Sequence, residues 1–321
     1  MSCFLFNLRF TAPVHFGFSD AALSLYASEE TFRADTLFSA LCHTALRAEG
    51  TAGVERLCSA VQKGELKLSD AMPYCGETLY LPKPFFHAPS SETLPTAQRK
   101  AIKKLRWLPV CDFGAFSESV HGGTPFVPKE TESFGVHEAH AKAAVTGKAD
   151  TEPYQVGAFR FRDNCGLWFM LCCPEHDADY YETLLRLLGM SGIGGKVSAG
   201  YGSFEIDDVI FLDEPFDDQT QWLSDALSCD SSAYLLLTTA LPADHELEET
   251  LDGSFYQLTR RSGFVQSETY SDTPQKKDTQ FFLSAGSVLK RRFSGGLLQV
   301  GSAGTHPVYR YSSPVFLGVP L

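Results

Sequence analysis

The chain has 321 residues, 44% of them hydrophobic and 21% charged, which is long enough for two domains, each with its own core, and excludes a disordered or fibrous protein. A net charge of −12 argues against a free-standing nucleic-acid binder, and no apolar run reaches the length that a bilayer span needs. Met1 to Phe10 shows no basic leader or small-residue cleavage site, so the expectation is a cytoplasmic protein with no membrane contact.

Taken in chain order, residues 3 to 11 read as a buried strand. Ala34-Asp35-Thr36 then opens a helix whose Leu37, Leu41, Thr44, Ala45 and Ala48 recur at helical spacing. Leu79-Tyr80-Leu81 is strand-like and bounded by Pro82 and Pro84. From His87 to Pro153 the chain is rich in Pro, Gly, Ser, Thr and charge, which reads as insertions on a sheet and not as core. Phe159 to Arg162 and Leu167 to Cys173 read as a hairpin around Asp163-Asn164-Cys165-Gly166. Tyr180 to Leu188 form a second helix with Tyr181, Leu184, Leu185 and Leu188 on one face, and Ser203 to Phe211 a further strand. The order β-α-β-β-α-β is the ferredoxin-like plan.

After the acidic Asp213 to Asp218, a linker, the second half offers strands at Ala233 to Thr239, Phe255 to Thr259, Gln280 to Ala285, Gly296 to Val300 and Val315 to Val319. Its helices are short, Gln219 to Leu227 and Glu246 to Leu251, so this half reads as a smaller, degenerate version of the first. None of the nine cysteines forms a C-x-x-C pair, and reduced, buried thiols are the expectation, with Cys172 and Cys173 on opposite faces of one strand.

The most unusual stretch is Gly189 to Phe204, with six glycines around Lys196. Glycines reach positive φ and let backbone N–H groups converge on an anion, while Lys196, Ser191 and Ser198 add charge and hydroxyls. The stretch is neither a Walker A loop, since Met190 and Val197 stand at the required glycine and Ser/Thr positions, nor a dinucleotide fingerprint. On the residues alone, a structural turn and an anion cradle both fit. Base collects at Arg99 to Arg106, at Arg260-Arg261, at Lys276-Lys277 and at Lys290-Arg291-Arg292, against acid at Glu205 to Asp218 and Asp244 to Asp252. Such a chain is polarised, unless each run is simply a solvated face.

Three segments together resemble the fourth Csm subunit of type III-A CRISPR effector complexes: Phe32 to Cys42, Gly192 to Gly202, and Gly304-Thr305-His306-Pro307-Val308-Tyr309-Arg310-Tyr311. The resemblance covers nearly the whole chain. It implies an α+β protein with two ferredoxin-like, RRM-like domains built on antiparallel sheets. The first domain is 1–212, with an insertion or thumb at about 83–153 and the glycine loop at 189–204; the second is 213–321. It implies a non-catalytic subunit that needs no cofactor or metal and has no DNA-specific site. Its partners are the crRNA 5′ handle, the large Cas-ten subunit, a Csm backbone subunit and target RNA near the guide 5′ end. Acidic surface then suits contacts to neighbouring subunits.

Under this reading Gly192, Gly194, Gly195, Lys196, Ser198, Gly200 and Tyr201 form the central cradle, Tyr201 serving either as a base platform or as core. Arg33 at the helix entrance, Arg260, Arg261, Arg291, His306 and Arg310 are further RNA candidates. Lys103, Lys104, Arg106 and Trp107 are candidates for duplex or subunit contact, the alternative being a short amphipathic helix with Ile102 and Leu105 packed inward. Two rivals remain. A metal-independent endoribonuclease of the same RAMP superfamily would draw on His15, His43 and Tyr26. In those enzymes the glycine loop lies near the C-terminus, where this chain has only Gly301-Ser302-Ala303-Gly304. The other rival is a glycine-loop protein for a small anionic ligand.

Overall fold

The structure is a computed structural model that describes residues 1–18, 25–86, 96–121, 124–129, 133–144, 152–267, 269–301 and 304–320. Parts of the expected insertion, the side chain of Arg99, and Ser302 and Ala303 of the later glycine run lie outside the described residues.

The first half runs β1 (Ser2–Phe10), α1 (Ala34–Glu49), α2 (Thr51–Gln62), β2 (Lys67–Leu68), β3 (Met72–Cys75), β4 (Thr78–Pro82), α3 (Thr96–Lys104), β5 (Trp107–Pro109), α4 (Phe113–Val120), β6 (Gly135–Ala144), β7 (Glu152–Phe161), β8 (Cys165–Cys173), α5 (Ala178–Ser191) and β9 (Phe204–Phe211). The second half follows with α6 (Asp218–Ser228), β10 (Ala233–Leu236), α7 (Leu247–Leu251), β11 (Leu258–Arg261), β12 (Gln280–Leu283), β13 (Val288–Leu289), β14 (Leu297–Gly301), β15 (Val308–Tyr311) and β16 (Phe316–Val319).

The main sheet has the order β5-β4-β3-β8-β1-β9, with β2 also paired to β8, and its pairs are antiparallel. Side chains alternate across its central strands. Phe4, Phe6 and Leu8 of β1 and Leu167, Phe169 and Leu171 of β8 join one core with Leu37 and Leu41 of α1, Leu57 of α2 and Leu184 and Leu185 of α5. Leu5, Trp168 and Met170 face the other way, into a second core with Phe113 and Phe116 of α4, Leu223 of α6, Leu235 of β10 and Leu317 of β16. The sheet is therefore sandwiched between a helical layer and the second half. This double burial explains why all nine residues of β8 are buried and read as an unbroken apolar run.

Smaller sheets complete the molecule: β13-β10-β16, and the ribbons β11-β12, β14-β15 and β6-β7. Three sequence expectations are corrected. β7 does not form a hairpin with β8; it pairs with β6, from Gly135↔Phe161 to Ala144↔Glu152, because β8 is claimed on both edges by the main sheet. The inserted stretch is not free of core, since Phe113 and Phe116 are each 1% exposed. The cysteines are not all reduced, because strand register sets Cys3 opposite Cys172 with Cα atoms 4.0 Å apart and the two are disulfide-bonded. Among the described residues, no helix is long and apolar enough to cross a membrane.

Candidate nucleic-acid interface

The glycine loop has a buried floor and an exposed rim. Gly192, Ile193, Tyr201 and Gly202 are buried, whereas Gly194 and Val197 to Gly200 are exposed, with Gly195 and Lys196 half-buried between them. The floor is held by backbone bonds. Ile193 N donates to Gly202 O at 3.0 Å, closing the loop on itself, and Gly195 N and Gly202 N donate to His15 O and Pro13 O at 2.8 and 2.9 Å. Gly202 is required for that closure: its φ is 78°, and a Cβ there would lie 2.1 Å from Ile193 O. Gly194, at φ 99°, passes so close to the 15–16 segment that a Cβ would meet His15 O at 2.8 Å and Phe16 at 2.9 Å.

Much of the glycine content therefore serves closure, and the amides of Gly192, Gly195 and Gly200 are spent on internal carbonyls. Among the described residues, no backbone acceptor takes the N–H of Gly194, Lys196 or Ser198. Lys196 holds a left-handed conformation at φ 62°, and no carboxylate pairs with it among the described residues. Its Nζ lies 5.4 Å from the centre of the Tyr154 ring on β7.

The β6-β7 ribbon forms the second wall, and the sequence reading missed it. Lys142 Nζ stands 5.3 Å over the Tyr201 ring. His140 Nδ1 is 2.5 Å from the Tyr201 hydroxyl, and His140 Nε2 is 2.8 Å from Glu138, which also accepts from Arg160 Nε at 2.8 Å. The Arg160 hydrogen bond leads in holding the Glu138 carboxyl below its ordinary value, against a weaker push from burial. A signal was available in the alternation of Glu138, His140 and Lys142 with Ala139, Ala141 and Ala143. Tyr201 is only 3% exposed and packs with Val156 and Ala158, so its role is core and not base platform.

Other expected residues fall elsewhere. Arg261 and Arg310 are turned inward on Asp35, Arg261 through Nη2 and Nε at 2.6 and 3.0 Å and Arg310 at 3.6 Å, which removes both guanidinium groups from an RNA-facing role. The buried carboxylate is the reason, since an unpaired charge there would be costly. Arg260 is exposed on β11, Arg291 pairs with Glu249 at 2.6 Å, and His306 Nε2 is 2.9 Å from Ser267 Oγ. Among the described residues, none of these is hydrogen-bonded or ion-paired to the glycine loop.

Arg33 instead meets the inserted segment. A cavity of about 310 Å³ is lined by Arg33, Lys103, Arg106 and Trp107 together with Gln257 and Thr259 of the second half. Lys104 is exposed on α3, outside that lining.

The residues of the endoribonuclease rival stand in unlike surroundings. His15 is 6% exposed, its Nδ1 is 2.6 Å from Gly157 O, and its ring packs beneath Gly195. His43 is half-buried on α1, where burial, then Arg47 and Lys277, push its imidazole below the ordinary value. Tyr26 is 61% exposed. Among the described residues, no cluster of His, Cys, Asp and Glu could hold a metal ion.

Comparison with known proteins agrees with this architecture. Residues 229–319 match the family described as the CRISPR Csm4 C-terminal domain. The chain is 38% identical over 288 residues to the CRISPR system Cms protein Csm4 of Mycobacterium tuberculosis, covering 89% of each chain. It is 30% identical over 312 residues to that of Streptococcus thermophilus, covering 94% of each. Its fold is similar to a chain of a Csm1-Csm4 cassette crystallised with AMPPNP, with a TM-score of 0.62, 22% identity and coverage of 99% of this chain and 98% of that one. It is also similar to a chain of a Csm3-Csm4 subcomplex of a type III-A CRISPR-Cas interference complex, with a TM-score of 0.63, 16% identity and 99% coverage of both. An antiparallel-sheet protein with a core on each face of the sheet and a glycine loop at the end of α5, matched over most of its length at this identity, belongs to the Csm4 family.

Proposed function

We propose that the chain is a non-catalytic RNA-binding subunit of a type III-A CRISPR interference complex, which grips the 5′ handle of the crRNA and bridges the large subunit to the backbone. The observation that carries this reading is the rim from Gly194 to Gly200, where the N–H groups of Gly194, Lys196 and Ser198 meet no backbone acceptor and two cations, Lys196 and Lys142, lack carboxylate partners among the described residues. Phosphates of a single strand need such donors and cations. Support for the bridging role comes from similar chains that were solved in a Csm1-Csm4 cassette and in a Csm3-Csm4 subcomplex. The β1-α1 and β3-β8-α5-β9 units are read as one ferredoxin-like domain, residues 1–212, and the inserted segment, with its β6-β7 ribbon, as its thumb, close to target RNA near the guide 5′ end. Residues 213–321 form the second domain. The acidic total fits a subunit that shares phosphate neutralisation with its neighbours.

The test is to tag the chain, co-express it with the other effector subunits and sequence the 5′ ends of the RNA that co-purifies. Uniform ends bearing one repeat-derived handle, lost in a Lys142→Ala, Lys196→Ala variant that still assembles, are expected. Heterogeneous ends, or a handle retained by that variant, would sink the reading.

A further inference from the structure

The cavity at the junction of α3, β5 and β11 is a built site that the glycine loop does not include. Its volume, about 310 Å³, falls at the lower end of the roughly 300–1,000 Å³ typical of small-ligand sites. Its acids are already committed. Glu29 pairs with Arg33 at 3.3 Å, and Asp70 accepts from Ala34 N, Thr239 N and Thr239 Oγ1 at 2.9, 3.0 and 2.6 Å. Its outer cations are not, since among the described residues neither Lys103 nor Arg106 has a carboxylate partner. Both are exposed side chains on the cavity wall.

The remaining wall is aromatic and amide. Trp107 and Phe85 line it, and the Trp107 indole Nε1 is buried with no hydrogen-bond partner. Gln257, an exposed residue of the lining, uses only its backbone carbonyl in a hydrogen bond, from Ser284 N at 2.9 Å, which leaves its carboxamide available among the described residues. Thr259 Oγ1 and Ser284 Oγ, both on the wall, are 2.7 Å apart. A flat aromatic ligand with one anionic group satisfies this set. Its ring lies against the aromatic wall, its polar edge meets the Gln257 carboxamide, and its charge meets a guanidinium and an ammonium.

We propose that this cavity binds one nucleotide, with the base between Trp107 and Gln257 and the phosphate on Arg106 and Lys103. The same chemistry is offered by a free mononucleotide and by one unstacked nucleotide of an RNA strand. The proposal does not rest on the glycine-loop reading, because the two sites share none of the residues named for binding.

Trp107 is the reporter once its signal is separated from those of the chain's other two tryptophans, the fully buried Trp168 and the half-buried Trp222, and the difference from a Trp107→Phe variant identifies its share of the emission. The whole purified chain is titrated with AMP, CMP, GMP and UMP and, separately, with a 5′-phosphorylated single-stranded RNA tetranucleotide. Saturable quenching by either class is expected, at least tenfold weaker in Lys103→Ala, Arg106→Ala. Gln257→Ala is expected to change the ranking among bases. Saturation by mononucleotides alone identifies a free nucleotide as ligand, and saturation by the RNA alone identifies a residue of a strand. No saturable change with any probe, or unchanged affinity in the double variant with native circular dichroism, overturns the proposal. Lys142→Ala, Lys196→Ala serves as the separating control: it must keep this binding even where handle retention is lost.

Discussion

Asp35, on the first turn of α1, is bound by Arg261 of β11 through the Nε–Nη2 edge of its guanidinium, although 226 residues separate them. The side chains are 9% and 14% exposed, and Arg310 of β15 adds a second cation at 3.6 Å while donating to the carbonyls of Arg261 and Ser262. The conspicuous Arg260-Arg261 pair and the C-terminal arginine are thus divided between surface and interior. The two halves are locked at this point by charge.

Removing one partner of such a pair leaves an uncompensated buried charge. Arg261→Ala is expected to cost about 3–5 kcal/mol, read as a fall in the urea midpoint at pH 7. Arg261→Met with Asp35→Leu should recover only part of that loss, because Arg310, 4% exposed, then loses its carboxylate partner. A single-variant loss under about 1 kcal/mol would mean that water solvates the pair.

Burial alone would raise the Asp35 carboxyl, but Arg261, followed by Arg310 and Arg33, outweighs it and holds the group below its ordinary value. A carboxyl lowered on folding contributes stability that is complete above its unfolded value and is lost as pH falls through the folded value. Asp70 has the opposite sign: burial dominates over the hydrogen bonds from Thr239 and Ala34 and raises it. Its ionised form therefore opposes folding at neutral pH. Asp70→Asn keeps an acceptor for the Ala34 and Thr239 amides and offers a donor to Thr239 Oγ1, so it should match or exceed the parent at pH 7. Asp70→Ala strands these donors at about 1–3 kcal/mol each. Chemical denaturation at pH 5 and pH 7 would check both, and equal losses in the two variants would refute the assignment.

How much of this was readable in advance depended on the range of the interaction. The helices around Leu37 to Arg47 and Tyr180 to Leu188 were visible because a buried stripe at helical spacing is a local pattern. The partner of β7 was not, because strands 159–162 and 167–173 look like a hairpin locally and only competition for the edges of β8 separates them. α2 was hidden by a start of Thr51, Ala52 and Gly53 that carries no apolar stripe. At the site, the density of glycines revealed the loop. It could not reveal which amides remain free, since that depends on the carbonyls of Pro13 and His15. The inward turn of Arg261 was equally out of reach, because nothing near it in sequence announces Asp35.

Gly202 gives the clearest stability test of the loop. Gly202→Ala would place a methyl group 2.1 Å from Ile193 O while keeping φ near 78°, so the floor must open. The expected loss exceeds the roughly 1–2 kcal/mol of left-handed strain alone. Proteolysis confined to the 189–204 stretch, with the remainder resistant, should accompany it. Full resistance would show that the floor tolerates the side chain.

Lys196 allows fold and function to be separated, because it is a non-glycine residue at φ 62° on the half-exposed rim. Lys196→Gly removes roughly 1–2 kcal/mol of left-handed strain against about 0.5–1 kcal/mol of added unfolded-state freedom, so stability should hold or rise slightly. The same change deletes the ammonium that a phosphate would meet. If the loop grips RNA, the variant complex should bind its guide more weakly, and the slope of log affinity against log salt should fall by about 0.7 for the one lost contact to a single strand. Thermal melting and salt-dependent guide release on the same sample decide the matter. A variant of unchanged stability with an unchanged salt slope would assign Lys196 to the turn alone and leave the phosphates to other residues.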